Sequence, residues 1–190
     1  LSLVATRSTG RGWVQALPCD SVAGSTSNLN TDAAGQTRAS LAIVAFDADG
    51  DACVHSSAAT HLVVDLQGYF TAGAFIDTTD QRVVDTRGGA PKAAGSTTTF
   101  HGTAGTSAFI SLASIGAAGR GWMQVLPCDA VAGSTSNLNT DRAGLTIAGA
   151  GVAHFDADGD ACVYTSVATH LVVDLQGTFG SDSFDDVPDV

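Results

Sequence analysis

Residues 11–70 read RGWVQALPCDSVAGSTSNLNTDAAGQTRASLAIVAFDADGDACVHSSAATHLVVDLQGYF, and residues 120–179 read RGWMQVLPCDAVAGSTSNLNTDRAGLTIAGAGVAHFDADGDACVYTSVATHLVVDLQGTF. The second stretch repeats the first at an offset of 109, with 44 of 60 positions identical. Self-similarity at a fixed, domain-sized period means that each copy is a structural unit, and a unit of about 100 residues can bury a core of its own. The chain therefore divides into residues 1–70, a first repeat; 71–81, a connector; 82–179, a second and complete repeat; and 180–190, a tail equivalent to the connector.

Working outward, Leu1–Gly10 aligns with Ile110–Gly119, Phe75-Ile-Asp aligns with Phe184-Asp-Asp, and Val190 stands where Gln81 stands. The block between, RVVDTRGGAPKAAGSTTTFHGTAGTSAF at 82–109, occurs once. Two periods of 109 make 218, and removing the 28 residues of this block leaves 190. The sequence has the form of a tandem array cut at an odd phase, with a first repeat lacking its N-terminal strand block. An incomplete β unit leaves an edge that accepts a strand from elsewhere. Arg82, Val83, Val84, Asp85, Thr86 and Arg87 are the expected assembly segment, with Arg82, Asp85 and Arg87 placed to form an ion network.

Within each copy, short apolar runs are divided by turn residues, as in an all-β protein. Leu1, Leu3 and Ala5 alternate with Ser2, Val4 and Thr6, and Trp13–Leu17 reads as the return strand of a hairpin closed by Pro18. Residues 19–37 are turn-rich, with Asn28, Asn30 and Asp32 suited to Asx turns. Arg38–Phe46 reads as a buried strand, and its counterpart, IAGAGVAHF, predicts a close neighbour at Gly149 and Gly151. Asp49-Gly50 between apolar runs is a hairpin signal. Thr60–Phe70 is a strand with Leu62, Val64 and Leu66 on one face and His61, Val63, Asp65 and Gln67 on the other. The expected fold class is all-β: two tandem β-sandwich-like repeat domains, each with one disulfide.

Composition narrows function. All nineteen acidic residues are Asp, against seven Arg and the single Lys92, for a net charge of −11. Such a chain repels nucleic acid and anionic membrane surfaces. Without Glu and with one Lys, long surface helices are not expected. No apolar run reaches the roughly 18–20 residues of a membrane span. Cys19, Cys53, Cys128 and Cys162 are spaced by 34 within each copy and form no CxxC motif. Four cysteines allow three pairings, and the repeat favours Cys19–Cys53 with Cys128–Cys162 over four free thiols. Disulfides imply an oxidising, extracellular or cell-surface location.

RVVDTR at 82–87, Pro-Cys at 18–19 and 127–128, SNLN at 27–30 and 136–139, and ATHLVVDLQGYF at 59–70 resemble repeat modules of secreted actinobacterial and related bacterial surface proteins. The resemblance covers nearly the whole chain and implies a location and a class rather than a chemistry. Two departures stand out: no RxxDTR precedes the first repeat, and Thr178 replaces Tyr69.

Candidate chemistry is sparse. Asp47, Asp49 and Asp51, with Asp156, Asp158 and Asp160, resemble the opening of a calcium loop, although Ala58 and Val167 stand where its last ligand would be. A hairpin turn with solvated carboxylates is the plainer reading; no other cofactor is expected. His61 with Asp65, and His170 with Asp174, lie four apart on one strand face, a pairing that orders a sheet more often than it serves a triad. Trp13, Asn28, Asn30 and Asp32 could line a polysaccharide site. The single Lys92 rules out a repeated Lys–Asn staple. No enzyme is expected. The favoured expectation is an extracellular structural subunit that polymerises with copies of itself by β-strand complementation; the alternative is a module binding cell-wall or extracellular polysaccharide.

Overall fold

The structure is a computed structural model that describes the chain except residues 25, 134, 181, 182 and 185–190; residues 79 and 80 are described by backbone alone. Most of the 180–190 tail thus lies outside the described residues.

The protein is all-β, with fourteen strands among the described residues. The first repeat holds β1 (Ser2–Thr6), β2 (Gly12–Pro18), β3 (Leu29–Thr31), β4 (Arg38–Leu41), β5 (Ala52–Ser56) and β6 (His61–Asp65). They form two three-stranded antiparallel sheets, β4-β1-β6 and β3-β2-β5. The second repeat holds β7 (Phe75–Asp85), β8 (Ser96–His101), β9 (Ser107–Ile115), β10 (Gly121–Leu126), β11 (Leu138–Thr140), β12 (Ile147–His154), β13 (Asp160–Thr165) and β14 (His170–Phe179). Its sheets are four-stranded, β12-β9-β14-β7 and β11-β10-β13-β8. Each repeat is thus a two-sheet sandwich, and the second adds one strand to an edge of each sheet. Both added strands, β7 and β8, draw on the 82–109 block.

The cysteines join within each repeat as expected, Cys19 to Cys53 and Cys128 to Cys162, with Cα separations of 4.9 and 5.0 Å. Each staples the same sheet, at the end of β2 on β5 and of β10 on β13.

Two expected hairpins are instead crossings between sheets. β1 pairs with β4 and β6, whereas β2 pairs with β3 and β5. The turn at Gly10 and Gly12 therefore carries the chain from one sheet to the other. The Asp47–Asp51 turn does close locally: Asp47 N donates to Asp51 O (2.9 Å), and Gly50 takes φ 87°. Its counterpart nevertheless links β12 to β13, which lie in opposite sheets. Turn chemistry sets the reversal but not the sheet that the next strand enters.

The expected strand at Arg38–Phe46 is cut to β4, while its counterpart β12 runs the full eight residues. The reason lies in the partner. Gly151–His154 pair with Ile110–Ser107, and the first repeat has only Leu1 to correspond with that segment. The strand at Thr60–Phe70 is likewise shortened to β6, whereas β14 extends to Phe179 between β9 and β7. Gly149 and Gly151 do have a close neighbour: a Cβ on either would press against Leu138 (3.1 Å) or Asn137 (3.3 Å) of the facing sheet.

The connector is not a free linker. Phe75–Gln81 form the first half of β7, continuous with Arg82–Asp85. Phe75 stacks on Phe70 at 5.3 Å, and Phe184 stacks on Phe179 at 4.8 Å, so the aromatic contact recurs at the repeat period.

Candidate functional site: the open edges of the first repeat

The same residues meet two environments. Val173 in β14 is fully buried between β9 and β7, whereas Val64 in β6 is 43 % exposed. Leu171 and Leu175 are buried in the second repeat; Leu62 and Leu66 are exposed in the first. Phe155 is fully buried, and Phe46, in the same FDADGD setting, is 55 % exposed. The difference traces to the 82–109 block. Phe100 of β8 meets Phe155 edge-on, with ring centroids 5.8 Å apart, and no Phe100 equivalent stands over Phe46. An apolar cleft of about 240 Å³ lies there instead, lined in part by Leu1, Val44, Phe46, Leu66 and Phe70.

The second repeat shows how the block grips its unit. β7 adds to the edge of β14 with Val84↔Val173 and Arg82↔Asp174 in register. Val84 is buried, with Val83 packed against the same core. Thr86 N donates to Leu171 O (3.0 Å), and Leu171 N donates to Thr86 Oγ1 (2.8 Å). Arg82 reaches the buried Asp174 with both ends of its fork, Nε at 2.9 Å and Nη2 at 3.2 Å, the bidentate geometry that suits a guanidinium. Arg87 Nε donates to Asp85 (2.9 Å), as does the Arg87 backbone N (3.0 Å). β8 adds to β13 with Thr99↔Cys162. The block therefore spans the sandwich, closing one edge of each sheet.

The Arg87 side chain beside Asp85 holds its carboxyl well below the ordinary 3.8, outweighing the opposing effect of desolvation. A carboxylate with a depressed folded pKa contributes stability above the unfolded value and loses it as pH falls through the folded one. The second repeat is therefore expected to lose melting temperature from about pH 4 downward, and Asp85→Asn to flatten that acid limb. Melting curves between about pH 5 and 2 check this; parallel curves for the two proteins would refute it.

The other sequence candidates are placed as follows. Asp47 Oδ1 accepts from the backbone of Asp49 (3.0 Å) and Asp51 (2.8 Å), and Asp156 repeats this with Asp158 and Asp160 (2.9 Å each). The first carboxylate of each turn is thus used as a local acceptor, and Asp160 also meets His101. Among the described residues, no group of three metal-type ligands converges. His170 and Asp174 do not face each other: His170 Nδ1 lies 3.0 Å from Thr86 O, while Asp174 holds Arg82. Of the sugar candidates, Trp13 and Asn30 line a cavity of about 580 Å³ between the repeats, with Arg11, Ser27, Arg82 and Asp174 among their neighbours. Asn28 and Asp32 are used elsewhere: Asn28 Oδ1 accepts from Ala16 N (2.7 Å), and Asp32 pairs with Arg142 (2.6 Å).

Sequence reading missed that the SNLN segment of the first repeat packs against the second. Its signal, Asx-turn residues, is the same in both copies and does not distinguish a covered loop from a free one. No helix among the described residues is long and apolar enough to cross a membrane. Comparisons with protein-family models, with curated proteins and with solved structures give no match for this chain.

Proposed function

We propose that the chain is an extracellular structural repeat protein, a subunit of a filament or cell-surface assembly, whose units are joined by β-strand addition. The first repeat is the acceptor, and the donor is a segment of the RVVDTR…TTTF kind. One observation carries this reading: HLVVDL is exposed at 61–66, and the identical sequence at 170–175 is buried beneath β7.

The chemistry of the donor follows from the filled copy. Main-chain hydrogen bonds along a free edge supply affinity, and alternate side chains supply selectivity. A small apolar residue would take the place of Val84, an arginine would face Asp65 as Arg82 faces Asp174, and an aromatic ring would enter the cleft over Phe46 as Phe100 covers Phe155. Each chain holds two acceptor units and one such block, already folded into the second repeat. A swap between two copies only moves the vacancy, so the donor is an additional block, in the same polypeptide or in another. The two disulfides support an oxidising location. Open strand edges are aggregation hazards that proteins cover, which favours an edge kept for an assembly partner.

A synthetic peptide of residues 82–109 tests the reading. It is expected to bind the chain one to one and to protect the backbone amides of residues 52–56 and 61–65 from hydrogen exchange. A peptide that gives no protection there would refute strand acceptance.

A further inference from the structure

The contact between the two repeats is made by a loop of one and a sheet face of the other. Ser111 Oγ, on β9, donates to Ser27 O (2.8 Å), and Asn28 Nδ2 lies 3.5 Å from Gln176 Oε1 on β14. Arg142 pairs with Asp32 at 2.6 Å, and Arg11 reaches Thr146 at 3.5 Å. The first repeat thus presents its SNLN loop, and the second receives it on the outer face of β12-β9-β14-β7.

Both surfaces exist twice. The receiving residues Ser111, Thr146 and Gln176 recur as Ser2, Thr37 and Gln67. The presenting residues Arg11, Ser27, Asn28 and Asp32 recur as Arg120, Ser136, Asn137 and Asp141. Burial separates the used copy from the spare one. Thr26 and Asn28 are buried, while Thr135, Ser136 and Asn137 are exposed; Ser111 and Gln176 are buried, while Gln67 is exposed and Ser2 half-buried. Arg38 of the first repeat borders the far side of the spare loop, near Trp122 and Asn139, and leaves Ser136 and Asn137 open.

A contact that joins two different surfaces leaves one of each unused and propagates head to tail. We infer that a second copy of this chain docks its Ser136–Asn137 loop on the Ser2/Gln67 face of the first repeat, repeating the internal joint and building an open linear array. The joint differs from the internal one at one charged position: Ala33 stands where Arg142 stands, so the new contact lacks the ion pair to Asp141. The receiving surface is the outward face of the β4-β1-β6 sheet, not the edge proposed as strand acceptor, so the two ideas stand or fall separately.

Sedimentation at about 0.15 M salt, where charge repulsion is screened beyond roughly 8 Å, tests this. The unaltered chain is expected to grow to larger species with concentration. Gln67→Arg, which blocks the face, and Ser136→Arg, which blocks the loop, should each remain monomeric alone. Mixed, they should form a one-to-one complex and stop, because only one intact face and one intact loop remain. Ala33→Arg should tighten the self-association of the unaltered chain by up to about fivefold by restoring the ion pair. An unaltered chain still monomeric at about 1 mM would overturn the inference. So would growth by either blocked variant alone, or a mixture that stays monomeric while both variants keep their circular dichroism. Association abolished by the 82–109 peptide with the face untouched would assign it to the strand edge, and would also overturn the inference.

Discussion

Replacing Cys19 and Cys53 together by serine is expected to unfold the first repeat at room temperature, while Cys128→Ser with Cys162→Ser leaves the second folded and less stable. The two bridges close loops of the same length, 34 residues apart in each case. In the chain-entropy account each contributes ~3–4 kcal/mol by restricting the unfolded state. What differs is the core that remains. The second repeat has one continuous cluster, running from Val84 and Phe100 through Ile110, Leu112, Met123 and Phe155 to Val173. The first has two small ones, Leu3 with Ala16 and Ala42, and Ala5 with Val14 and Leu29. Small cores leave little margin beyond their staples, so an equal loss has an unequal outcome. Each repeat carries one tryptophan, Trp13 in β2 and Trp122 in β10. Trp122→Phe and Trp13→Phe backgrounds therefore let fluorescence follow each repeat alone. Equal sensitivity of the two repeats to loss of their bridges would refute the account.

What the sequence shows and what it hides follow a physical division. The period of 109, the cysteine pairing and most strands are legible because each depends on local pattern or on the repeat itself. Two features are not. A turn such as Asp47–Asp51 closes through its own amides whichever sheet the next strand joins, so the crossings between sheets leave no local mark. The Arg82–Asp174 pair spans 92 positions and is fixed only when β7 meets β14 in register. The candidate site adds a third case. RVVDTR is recognisable as a docking strand, and the open edge is deducible from its absence ahead of the first repeat. The joint between repeats is not, because TSNLN is identical at 26–30 and 135–139 while only the first copy is covered. Environment, not sequence, separates them.

That division yields the sharpest comparison in the molecule. Phe155→Ala should cost the second repeat ~3–5 kcal/mol, the usual loss for emptying a large aromatic from a packed core. Phe46→Ala should cost the first less than ~1 kcal/mol in the free protein, because its ring is already half in water and removing it opens little new cavity. Phe155 is held by more than Phe100: its ring also fills the space beside Gly102, where any Cβ would collide with it. Both glycine and ring partner belong to the block that the first repeat does not possess. Denaturant melts of the two single variants, read through the tryptophan of each repeat, measure the difference. Adding the 82–109 peptide should then convert one case into the other. With the peptide bound, Phe46 acquires the neighbours of Phe155, and Phe46→Ala should weaken peptide binding by about tenfold or more, since ~1.4 kcal/mol is a factor of ten. Equal costs at Phe46 and Phe155 in the free protein would mean that the first repeat is already closed over its core, leaving no vacancy for a strand to fill.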